Sequence, residues 1–147
     1  MTVTFCGHSK LYQTEKISNW LDIILPALIE GGATYFYLGG YGDFDNLAAA
    51  AVQRQKGIYS HIKAILVLAY LNRDADASDY DGTTYPPLET VPPRYAILKR
   101  NEWMVRVSDV VISGVTHGWG GAAKTLDFAK RRGKVIIQFP KQPREKF

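Results

Sequence analysis

The chain has 147 residues, 46% of them apolar and 22% charged, enough for one ordinary hydrophobic core and too few for two comfortable ones. Its longest apolar stretches, such as Ala64 to Tyr70, fall far short of the roughly 20 residues a bilayer crossing requires, and nothing ahead of the first strand-like run reads as a secretory signal. No membrane association and a cytoplasmic location are therefore expected. The formal charge of +4 is modest. It gathers in Lys130, Arg131, Arg132 and Lys134 and in the tail residues Lys141, Arg144 and Lys146, where basic side chains either complement a helix carboxyl end or touch nucleic acid.

Val3 to Cys6 reads as a buried strand, and Cys6, the single cysteine, as a buried thiol with no disulfide or zinc partner. Ile17, Trp20, Leu21, Ile24 and Leu28 follow at helical spacing, Gly31-Gly32 supplies the stop, and Pro26 is expected to kink or shorten the helix. A second strand, Tyr35 to Leu38, leads to an alanine-rich helix over Asp45 to Gln55 that ends at Gly57. Ile65 to Ala69 forms the third strand. From Asn72 to Pro93 the sequence is polar, acidic and proline-punctuated, longer than an ordinary connection, and expected to overhang the ligand edge as a lid. A helix over Ala96 to Val107, a short strand Val110 to Ile112, a helix Thr125 to Arg132 closed by Gly133, and a strand Val135 to Phe139 complete the order.

Near-continuous apolar strands separated by helices indicate a sheet covered on both faces. The prediction is an α/β, Rossmann-like three-layer fold with a central, mainly parallel five-stranded sheet. One domain occupies residues 1–140, and 141–147 is a basic tail. Ligand is expected outside the carboxyl ends of the strands, where the strand order reverses.

Three glycine turns follow three of the strands. They are Gly7-His8-Ser9, Gly39-Gly40-Tyr41-Gly42 leading to Asp45, and Gly118-Trp119-Gly120-Gly121 leading to Lys124 and Thr125. Without a Cβ in the way, backbone N–H groups approach an anion closely, and a helix N-terminus adds partial positive charge. Together the turns read as a phosphate or ribose cradle, although none has the P-loop or dinucleotide spacing. Arg94 and Arg100 are forks suited to phosphate, and Lys124 is a point charge beside the third turn. Asp45 either caps backbone amides or accepts from ribose hydroxyls; Ser9 either donates to phosphate or stabilises its turn. Tyr41 and Trp119 either stack on a base or pack. His8 and His117 are proton donors, phosphate contacts or plain loop residues. The three histidines lack metal-ligand spacing, so neither a metal nor a cofactor is expected.

Phe5 to Ser9, Gly39-Gly40 through Ala48, Arg100 to Met104, Ser108 to Ile112 and Gly120 to Thr125, taken in order, resemble the SLOG superfamily over Val3 to Phe139. That group includes YpsA-like proteins, the DNA-processing protein DprA and the Lonely Guy phosphoribohydrolases, and the short YpsA-like branch is the nearest match. The resemblance implies a Rossmann-like sheet whose glycine loops hold a nucleotide or nucleotide-derived small molecule, and a homo-oligomer, for which Trp20, Trp103 and apolar helix faces offer surface. In the hydrolase branch an arginine precedes a glycine turn whose helix carries a catalytic glutamate. Arg100 resembles that arginine, but the glutamate is unmatched, leaving Asp127 at a shifted register or Glu102 as the carboxylate of an N-glycosidic hydrolase. A binding module is the first expectation, that hydrolase the second, and DprA-like single-stranded nucleic-acid binding the third.

Overall fold

The computed structural model describes residues 1–71 and 76–141. Strand β1 (Thr2–Gly7) lies at the centre of the sheet because its side chains are buried on both faces. Val3 and Phe5 enter one apolar core and Cys6 the other, the two-residue alternation of a strand sandwiched between layers. Helix α1 (Thr14–Glu30) then lays Ile17, Leu21, Leu25 and Ile29 on the first face. This i, i+4 stripe carries the helix through Pro26, which removes one backbone bond without ending it, to Gly31 and the left-handed Gly32.

Strand β2 (Tyr35–Leu38) and helix α2 (Asp43–Lys56) extend that layer, and β3 (Lys63–Val67) follows. After a short strand β4 (Gly82–Thr84), helix α3 (Ala96–Val107), strand β5 (Val110–Gly114), helix α4 (Gly121–Arg131) and strand β6 (Val135–Gln138) complete the fold. All neighbouring strands are parallel, in the order β4-β3-β2-β1-β5-β6. The chain winds outward from β1 to β4, then returns to β1's other side, so the order reverses between β1 and β5. α1 and α2 cover one face, and α3 and α4 the other.

The sheet has six strands where five were expected. Gly82–Thr84 lies inside the polar tract and has no apolar pattern of its own; the free edge of β3 recruits it. Asp81 sets the register: its carboxylate accepts the Ala64 amide at 2.8 Å, its own amide donates to the Ala64 carbonyl at 2.8 Å, and Lys56 pairs with it.

Cys6 is buried, and burial pushes its thiol up to about 12. Trp20 packs edge-on against Phe139 at 5.3 Å, and Trp103 packs against Tyr37 at 5.7 Å, so both rings have partners within the chain. The basic cluster ends α4 at the amino edge of the sheet, where Lys134 Nζ donates to the Arg106 carbonyl at 3.1 Å and Arg132 lies over the Phe128 ring. Arg144, Lys146 and Asp74 lie outside the described residues. Among the described residues no helix is long and apolar enough to cross a membrane.

Candidate functional site

All three glycine turns leave the carboxyl ends of strands, yet they are built for different purposes. The β1–β5 register sets Gly7 directly beside Gly114. The fully buried ring of Phe44, from the first turn of α2, lies against both. A Cβ on Gly7 would fall 2.2 Å from Phe44 Cγ, and one on Gly114 2.3 Å from Cε1. Gly42 (φ +91°) likewise brings its backbone against Ser9, where a Cβ would sit 2.5 Å from the Ser9 Cα. The amides that open α2 have partners there: Asp43 N–H donates to the Ser9 carbonyl at 2.9 Å and Phe44 N–H to the His8 carbonyl at 3.3 Å. Asp43 in turn accepts the Leu11 amide at 2.9 Å. The first and second turns are thus fastened to one another.

His8 fastens the third. It is buried, and its Nε2 accepts the amides of Thr116 at 2.9 Å and His117 at 3.4 Å, which puts the proton of the neutral ring on Nδ1. Burial, with His117 adding to it, lowers the His8 pKa. The His8, His117 and Trp119 rings stack in sequence, at 3.6 Å and 3.7 Å between centroids, and Trp119 is 71% exposed at the outer end. Gly118, Gly120 and Gly121 face open space, and no side chain caps α4. Lys124 is exposed there, while Thr125 is buried and its hydroxyl donates to the Gly121 carbonyl at 3.0 Å.

A cleft of about 980 Å³ opens on the β2–β3 side of the same edge. Of the three turns only the second lines it, through Gly39, Gly40 and Tyr41. One wall is the face of α2 that carries Asn46, Ala49, Ala50, Gln53 and Arg54, at helical spacing and opposite the buried Ala48, Ala51 and Val52. The other wall comprises Leu66 to Tyr70, from the end of β3, with Ile97. Asp76, Asp79 and Tyr80 line it from the acidic connection.

Arg100, 4% exposed, reaches the cleft from α3. Its Nη1 donates to the carbonyls of Gly39 at 2.9 Å and Val67 at 3.1 Å, and its Nε to Asn101 Oδ1 at 2.9 Å. The guanidinium thus ties the ends of β2 and β3 to α3. Gly39 is glycine for this reason, since a Cβ there would meet the guanidinium carbon at 2.9 Å. Gly40 (φ +67°) turns the chain where a Cβ would lie 2.6 Å from Leu66. Asp45 Oδ2 accepts the Tyr41 amide at 3.1 Å. Burial pushes its carboxyl up to about 6, with the Tyr41 amide and the charge of Arg100 opposing the rise. Burial lowers Arg100 and raises the Tyr80 phenol, the latter with help from Asp45, Asp79 and Asp76.

The structure therefore joins Gly39, Gly40, Tyr41, Asp45 and Arg100, and it holds Gly7, His8 and Ser9 behind them as support. Gly118, Trp119, Gly120, Gly121 and Lys124 form a separate surface further along the edge. Arg94 is exposed over the Tyr95 ring, 4.9 Å from its centroid, and does not line the cleft. Nor do the two carboxylates proposed for hydrolysis: Glu102 pairs with Lys99 at 3.3 Å, and Asp127 is exposed on α4. Sequence reasoning missed Tyr80, Gln53 and Ile97. The stripe of Asn46, Ala49, Ala50 and Gln53, at i, i+3, i+4 and i+7 of α2, was the available signal for its wall.

No family model matches the chain, and no curated protein matches it in sequence. Solved structures do share its Rossmann-like α/β architecture. DNA processing protein A from Helicobacter pylori, known for its single-stranded DNA binding mode, superposes with a TM-score of 0.66 at 16% identity, over 97% of this chain and 66% of that one. The Streptococcus pneumoniae DprA gives 0.66 at 15% identity, over 96% of this chain and 50% of that one. The molybdenum cofactor binding protein of Rippkaea orientalis gives 0.62 at 18% identity, over 93% and 74%. The chain thus spans about two thirds and half of the two DNA-processing proteins.

Proposed function

We propose that this chain binds a nucleotide-derived small molecule in the cleft beside Gly39, Gly40 and Tyr41. The observation that carries this reading is the cleft itself. It is large and half apolar-walled, lies at the carboxyl edge of a parallel sheet, and has a buried guanidinium aimed into it. Fold neighbours that bind single-stranded DNA or a molybdenum cofactor support ligand binding at this architecture in general terms. A cytoplasmic location belongs to the same reading and is supported by the single, buried, unpaired thiol. Native mass spectrometry of gently purified protein should show a nucleotide-sized adduct. Calorimetry against nucleosides and nucleotides should show binding that the Arg100→Met variant loses by about tenfold or more. Silence across the whole panel in both measurements rejects the reading.

A second reading, single-stranded DNA along the same edge, is favoured by the exposed Trp119 at the end of its ring stack, a platform on which bases stack. Anisotropy with a labelled oligonucleotide should then show binding that weakens steeply with salt and that Trp119→Ala reduces by about tenfold. A flat salt response rejects it. A homo-oligomer is also proposed, and light scattering tests it.

A further inference from the structure

Resting on the cleft reading above, we infer that its occupant is an uncharged purine or pyrimidine nucleoside, and that the cleft contains no seat for a phosphate. A phosphate seat needs surplus positive charge or a row of free amides, and among the described lining residues the charges balance while the amides that open α2 are already occupied. Among the described lining residues the cations are Arg54 and Arg100 and the acids Asp76 and Asp79, so the charges cancel. Both cations also have commitments. Arg54 holds Asp22 through Nε at 3.1 Å and Nη2 at 2.9 Å, and Ser18 at 3.2 Å. Arg100 holds two carbonyls and Asn101, which leaves Nη2 as its one nitrogen with no hydrogen bond to a described residue.

Three amides beside the turn are committed as well. Those of Asp43 and Phe44, which would otherwise point from the α2 N-terminus toward an anion, donate to the Ser9 and His8 carbonyls. The Tyr41 amide donates to Asp45, and that carboxyl sits behind the glycine turn. A phosphate dianion entering here would meet two arginines already engaged with other groups, and the carboxylates of Asp76 and Asp79.

A nucleoside meets the opposite situation. Ala49 and Ala50 make a flat apolar strip on α2, flanked by the side-chain amides of Asn46 and Gln53, which offer both donors and acceptors to a base edge. Tyr41 and Tyr80 supply aromatic faces, and the guanidinium of Arg100, which lines the same cleft, suits a base carbonyl. Carboxylates accept from a ribose diol, and two line the cleft: Asp79, and Asp76, whose Oδ1 already takes the Ser78 amide at 3.1 Å and hydroxyl at 2.7 Å.

Calorimetry of the full chain with the four common ribonucleosides, their 5′-monophosphates and their 5′-triphosphates tests this. The expected result is a nucleoside that binds at least as tightly as its monophosphate and about tenfold tighter than its triphosphate, with affinity nearly independent of salt. A 5′-phosphorylated form binding more than about threefold tighter than its nucleoside overturns the inference and leaves the cleft reading intact. Absence of heat with every compound overturns both. Ala50→Trp, at an exposed position on the α2 wall, should fill the cleft and abolish nucleoside binding while leaving the melting temperature in place. Retained binding in that variant puts the nucleoside elsewhere and overturns the inference.

Discussion

The turn after β2 and the turn after β5 read alike in sequence, glycine-rich and opening a helix, but the fold uses them in opposite ways. In the first, every missing side chain is filled by a neighbour: Arg100 and Asp45 against Gly39, Leu66 against Gly40, Ser9 against Gly42. In the second, Gly118, Gly120 and Gly121 meet nothing within 4 Å. The lesson is that a glycine turn is ambiguous between close packing and ligand approach until its neighbours are known. Here the packed turn stands beside the large cleft, and the open turn carries an exposed aromatic stack.

Substitutions make this contrast measurable. The largest effect is expected where glycines seat Phe44. Gly7→Ala and Gly114→Ala each drive a methyl into a buried ring and should cost about 3 kcal/mol or more by urea unfolding, near the upper end of overpacking effects. A loss below about 1 kcal/mol would mean that Phe44 moves aside freely. Arg100→Met comes next. It removes charge-assisted bonds to the Gly39 and Val67 carbonyls and should lower stability by about 2–3 kcal/mol, as measured by denaturant melts.

Asp45 should show itself through pH. Its folded carboxyl, raised to about 6, binds a proton more readily than the unfolded one. The contribution to stability is therefore greatest below the ordinary carboxylate value and declines as pH rises through about 6. Asp45→Asn should accordingly gain about 3 kcal/mol on wild type between acidic and slightly alkaline pH. His8, lowered by burial, acts in the other direction, favouring folding less as pH falls below 6.5. The comparison with wild type cancels that slope, and a flat difference would mean that Asp45 is as well solvated as in the unfolded chain. The smallest effect belongs to the open turn: Gly118→Ala should change stability by less than about 0.5 kcal/mol in the same unfolding assay.

Much of the architecture was legible in the residues. Apolar strands and amphipathic helices alternate with unmistakable periods, so β1, β2, β3, β5, β6 and the helices α1 to α4 were readable to within a few residues. A buried Cys6 followed from the same pattern. β4 was not readable, because three polar residues become a strand only when the edge of β3 and the Asp81 bonds hold them there. The site divides in the same way. Arg100, Asp45 and the glycine turns stood out as residue types suited to a ligand edge. Their separation into a packed support, a cleft and an open turn did not, because it rests on contacts between residues far apart in the chain, such as His8 with Thr116 and Arg100 with Gly39.

The sequence by itself determined the layers, the parallel winding and the edge at which the glycine turns gather, because hydrophobic period and turn chemistry are local properties of a chain. Tertiary structure alone decided which amides and which charges find partners. Hydrogen bonding and desolvation depend on what each group meets in space, not on its neighbours in the chain.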